Sequence, residues 1–73
     1  SSTSRGLGDV YKRQVYINVA TKHLKKADEV VRIETKRKYQ NLALEALQQG
    51  LTDPEADHNS LQAMIAELQS KMV

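Results

Sequence analysis

Val30-Val31-Arg32-Ile33-Glu34-Thr35 is the stretch on which the fold of this chain turns. It is rich in β-branched residues, and Val31-Arg32-Ile33-Glu34 alternates apolar and polar as a half-buried strand does. Read that way, a helix would begin only near Lys36, and Val15-Tyr16-Ile17-Asn18-Val19 would be a second extended segment. The competing reading is helical. Ile17, Ala20, Leu24, Ala27, Val31, Tyr39, Leu42 and Ala46 recur at steps of three and four, with one wider gap from Val31 to Tyr39. In that gap Thr35 and Lys38 hold the facing positions. Glu34 with Lys38, and Asp28 with Arg32, form i,i+4 pairs in the favourable orientation. No Gly or Pro lies between Val15 and Gln49, so nothing obvious forces a break. Leu24, Ala27 and Val31 join the two halves on one face, which favours a continuous helix over 15–49.

Downstream, Gln48-Gln49-Gly50-Leu51 places a glycine where a chain leaving a helix turns left-handed, with Leu51 free to fold back on the last turn. Thr52 with Glu55 spells a capping box, and Asp53 before Pro54 is an alternative cap. Asp57 or Asn59 can cap a second helix, whose Leu61, Met64, Ile65, Leu68 and Met72 share one face. The expected fold is therefore all-α: a long amphipathic helix over 15–49, a capped turn over 50–59 and a shorter antiparallel C-terminal helix over 60–73. This helical hairpin is expected to pack in coiled-coil fashion. Its core should bring Leu42, Ala46 and Leu47 against Leu61, Ile65 and Leu68, with Met64 and Met72 as filler.

Upstream, Asp9-Val10-Tyr11-Lys12-Arg13-Gln14 back-translates to GAT GTG TAT AAG AGA CAG. That string resembles the end sequence of a transposon adapter used to prepare sequencing libraries. The longer run Ser1–Gln14 resembles the translated scar that such adapters leave at the front of metagenomic reading frames. The resemblance implies that residues 1–14 are non-native, disordered or passively helical, and that the natural sequence is part of a larger protein.

The charge follows the same division. The formal net charge is +2. Arg5, Lys12 and Arg13 against Asp9 supply all of it, and eight basic residues balance eight acidic ones from Val15 onward. Global charge therefore gives no reason to expect a polyanion partner. Within the rest, Val15–Gln49 is basic, through Lys22, Lys25, Lys26, Arg32, Lys36, Arg37 and Lys38 against Asp28, Glu29, Glu34 and Glu45. Gly50–Val73 is acidic, with Lys71 against Asp53, Glu55, Asp57 and Glu67. There is no cysteine, so neither a disulfide framework nor a thiolate metal site is available. There is no long apolar run to span a membrane, and the expectation is a cytoplasmic protein. A core this small, without Trp or Phe, should lean on a protein partner or on copies of itself.

Chemistry is sparse. Asp53, Glu55 and Asp57 alternate like the start of a calcium loop, but His58 and Met64 stand where that loop needs Gly and a bidentate Glu. Asp57, His58 and Ser60 are the residue types of a hydrolase triad, yet they are neighbours in a turn rather than groups on separate elements. His23 and His58 do not make a metal site by spacing. No catalytic, cofactor, metal or small-molecule site is expected. Lys36-Arg37-Lys38-Tyr39 could offer phosphate contacts and one stacking ring, although on a helix Tyr39 falls on the apolar stripe.

Taken in order, Val30–Thr35, Lys36–Gln49 and Leu61–Met72 resemble the ribbon-helix-helix proteins. That resemblance implies an intermolecular strand pair in a DNA major groove, a dimer, and a repressor or antitoxin role. Arg32 and Glu34 would face DNA, while Val31 and Ile33 would pack inward. The favoured expectation remains a non-enzymatic helical protein-interaction or structural module that binds nucleic acid weakly at most.

Overall fold

The computed structural model describes the backbone of residues 3–72 and the side chains of residues 14–72. The described residues form three helices: α1 (Thr3–Glu29), α2 (Ile33–Leu51) and α3 (His58–Met72). At about 1.5 Å per residue α1 is roughly 40 Å long, and it sets the longest dimension, 44 Å. The fold is all-α, and no strand occurs among the described residues.

The expected continuous helix over 15–49 is two helices. The last α1-type bond runs from the Val30 N–H to the Lys26 carbonyl (3.1 Å), and the first of α2 runs from the Lys36 N–H to the Arg32 carbonyl (2.9 Å). Between them Arg32 is extended (φ −72°, ψ 130°) and caps α2 without a side-chain hydrogen bond. The β-branched cluster thus marks where backbone leaves the helix, but as a linker and not as the ribbon strand of the alternative. Val30, Val31 and Ile33 lose rotamer freedom in a helix, which makes this the cheapest place to stop one. Doubling back also lets the stripe of α1 bury against α2, whereas a straight helix over 15–49 would leave most of its stripe in water. Val31, expected on that stripe, is 98% exposed at the bend. Asp28 and Arg32 no longer share a helix, so their expected i,i+4 pairing does not apply.

α1 and α2 pack closely because small residues line their contact. Ala20 and Ala27 on α1 are buried seven residues apart, as are Ala43 and Gly50 on α2. Such spacing keeps small side chains on one seam. His23 stacks on Tyr39 across the same pair, with ring centroids 6.4 Å apart. Ala20, Ala43, Leu47, Leu61 and Leu68 form one buried cluster, against which Tyr16, Ile17, Leu24, Leu44, Met64, Ile65 and Met72 are packed half-buried. Of the expected hairpin core, Leu47, Leu61 and Leu68 are fully buried, and Ala46 and Ile65 pack at the edge of the cluster. Leu42 differs: it is 37% exposed, because Ala43, its neighbour in sequence, takes the inward position.

Gly50 is not a left-handed terminator. It lies inside α2, and no residue with positive φ occurs among those described. Instead α2 closes through Thr52 in right-handed helical geometry (φ −80°, ψ −13°). The Thr52 and Asp53 N–H groups bond to the Gln49 and Gly50 carbonyls, a tightened last turn that satisfies carbonyls otherwise left over. The glycine is required for a different reason. A Cβ on Gly50 would sit 2.7 Å from Leu61 Cδ1 and 2.9 Å from Tyr16 Cγ. α1 and α3 both close on this point of α2. In Gly50→Ala the helix-propensity gain of about 1 kcal/mol opposes an overpacking cost of about 1–3 kcal/mol. The Tyr16 ring root cannot retreat without moving α1, so a net loss of roughly 1 kcal/mol is expected by denaturant titration. A more stable variant would mean that the three helices do not converge here.

The adapter reading of residues 1–14 carries its own expectation. Deleting them should leave the melting temperature nearly unchanged, since Tyr16 and Ile17, which pack on the core, lie downstream. A fall of several degrees, equivalent to about 1 kcal/mol in a domain this small, would mean that the segment packs. The expected lack of packing for residues 1–8 lies outside the described side chains.

Candidate interaction surface

The α2–α3 turn is built around Asp53. Its Oδ2 accepts the Tyr16 hydroxyl (3.1 Å) and its Oδ1 accepts the Glu55 N–H (3.0 Å). Its carbonyl accepts the Ala56 N–H (3.2 Å) and the His58 Nε2–H (2.6 Å). A carbonyl only accepts, so the His58 ring must carry its proton on Nε2. The expected Thr52–Glu55 capping box is replaced by a different arrangement, in which the Thr52 hydroxyl donates back to the Gln49 carbonyl (2.6 Å). Asp57 caps α3: its Oδ1 accepts the Ser60 N–H (3.4 Å) and its Oδ2 the Ser60 hydroxyl (3.0 Å). Asp57, His58 and Ser60 are thereby engaged in closing a turn.

The Tyr16 phenol titrates above its ordinary value. Donation to the Asp53 carboxylate is the main cause, followed by burial and the nearby negative charge. The neutral phenol is the form the fold favours. Its contribution is fully present below the ordinary tyrosine value near 10 and is lost as pH rises through the higher folded value. Thermal melts should therefore fall more steeply above about pH 10 for the parent chain than for Tyr16→Phe. Identical slopes would remove this bond from the fold.

The opposite end of the molecule is different in character. Here the last turns of α1, the first turns of α2 and the end of α3 enclose a groove of about 880 Å³. Lys71 and Met72 line it together with Ile33 and Lys36, while Leu61 approaches Gly50 at the other end, so α3 runs antiparallel to α2. Leu24, Ala27, Ile33 and Met72 give the groove its apolar lining. Lys25, Lys36, Arg37 and Lys71 supply positive charge, against Asp28 alone. Ile33 is 62% exposed, and the bare Val31 lies beside it on the linker.

Of the residues singled out for nucleic-acid contact, Lys36 and Arg37 enter this groove, whereas Lys38 does not and Arg32 stands exposed on the linker. Tyr39 stacks on His23. Lys25 and Lys71 join the basic set through folding. Lys71 lies far along the chain in the acidic part, and only the antiparallel return of α3 brings it to the groove. The basic and acidic parts, which could have attracted one another, place their clusters apart: Asp53, Glu55 and Asp57 lie at the end away from the groove. Among the described residues no group of three potential metal-ligating side chains converges, and no helix is long and apolar enough to cross a membrane. The sequence matches no protein-family model, and neither the curated proteins nor the solved structures compared with it include a match.

Proposed function

We propose that the chain is a non-enzymatic, helical protein-interaction module. What supports this reading is the apolar surface left open at the bend, where Val31 and Ile33 stand in solvent beside a groove lined by Leu24, Ala27 and Met72. Apolar side chains held out at a bend, next to a concave apolar surface, are the makings of a docking site. The ribbon-helix-helix alternative needs residues 30–35 as a strand, but they form the linker and the first turn of α2.

A titration of mixed-sequence duplex DNA at low salt, with sedimentation of the same sample, separates the two. The module should show no sub-micromolar binding, and Arg32→Ala should change nothing. A dimer that binds tightly and loses that binding with Arg32→Ala would overturn the proposal, as would the steep salt dependence of phosphate contacts.

A further inference from the structure

We propose that the groove seats an acidic amphipathic helix from a partner protein. Its apolar stripe would lie on Leu24, Ile33 and Met72, and its carboxylates would face Lys25, Lys36, Arg37 and Lys71. This inference rests on the interaction-module reading and adds the chemistry of the partner.

Charge complementarity selects the sign. Four cations and one anion surround an apolar lining, a pattern that steers and orients an acidic ligand while the apolar contacts hold it. Helical form follows from the backbone. No strand edge exists among the described residues to pair with an extended peptide, so a docked segment must satisfy its own backbone hydrogen bonds. Met72 adds an unbranched, polarisable side chain that can adapt to a partner's stripe. A second copy of this chain is a poor occupant. Its acidic segment Asp53–Asp57 offers only Pro54 and Ala56 as apolar groups, and no exposed position of α3 carries an apolar side chain larger than Ala. Nucleic acid fits less well than a peptide, since phosphates gain nothing from Leu24, Ile33 and Met72.

The test uses the full chain and a labelled synthetic peptide of about five helical turns, with Leu on one stripe and Glu on both flanks. Fluorescence anisotropy should give a Kd on the order of micromolar. A peptide with Lys in place of every Glu, and one with Ser in place of every Leu, should each bind at least about tenfold more weakly. The Lys36→Glu/Arg37→Glu double variant should weaken binding by about tenfold, and Ile33→Asp should do the same. Both change exposed or half-buried positions, and circular dichroism would verify that they fold. Lys38→Glu changes charge on the same helix outside the groove and should leave binding intact. Equal loss with Lys38→Glu, equal binding of the Lys peptide, or no binding of the acidic peptide would each overturn the inference. Duplex DNA that binds tightly and is lost with Lys36→Glu/Arg37→Glu would overturn the interaction-module reading as well. Failure of the peptide without DNA binding would overturn only the acidic-helix inference.

Discussion

Leu47→Ala should leave the chain largely unfolded at room temperature. Leu47 is fully buried on α2, in one cluster with Ala20 of α1 and with Leu61 and Leu68 of α3. It is the one large side chain among the buried residues of α2, the others being Ala43 and Gly50. Removing it costs the transfer free energy of the lost atoms and leaves a cavity, together about 2–5 kcal/mol. A single small core without disulfide or metal supplies roughly 3–5 kcal/mol in total. The two figures are of the same size, so most of the helical circular dichroism signal should disappear. Leu47→Met, which keeps the volume, should cost less than about 1.5 kcal/mol and retain the signal. If Leu47→Ala melted like the parent chain, α2 would not be the central helix.

Leu68→Ala should be nearly as costly but different in kind. Leu68 is 2% exposed near the end of α3. α3 leans mainly on α2, while α1 and α2 share their own small-residue seam. A loss of about 2–5 kcal/mol at this site should therefore release α3 and leave the α1–α2 pair partly intact, a local unfolding rather than a global one. Hydrogen exchange would resolve the difference: protection should vanish across His58–Met72 and persist around Ala20 and Ala43. Uniform loss of protection would show that the pair cannot stand without α3. Full protection in α3 would remove Leu68 from the core.

The helical class and the face of α3 were readable along the chain because periodicity reports burial directly. Leu61 and Leu68 lie seven residues apart, and both are buried. The bend was harder to read. No Gly or Pro marks it, and Val30, Val31 and Ile33 give the same local bias whether they enter a strand or end a helix. The weak stretch of the stripe between Val31 and Tyr39 was the remaining clue, since a helix with no apolar face to bury is a place where it can stop. Gly50 showed the converse problem. A glycine near a helix end suggests a left-handed cap, but only the three-dimensional meeting of Tyr16, Leu61 and α2 reveals that it makes room for packing. The groove was the least legible feature. Its cations come from three helices, and Lys71 reaches Lys36 and Arg37 only after two reversals of the chain.

The direct test of those reversals is the distance between α1 and α2. The chain has no cysteine, so Asn18→Cys and Asn41→Cys, both at exposed positions, can carry a pair of spin labels without interference. Dilution with unlabelled chain removes any contribution between molecules. In a continuous helix these positions would lie about 35 Å apart, at 1.5 Å per residue. In the hairpin they sit on neighbouring antiparallel helices whose axes are about 8–10 Å apart. Pulsed dipolar spectroscopy should give a single distance below about 20 Å, allowing for the label arms. A distribution centred near 35 Å would contradict the bend at Val30–Arg32, and with it the groove that the bend creates.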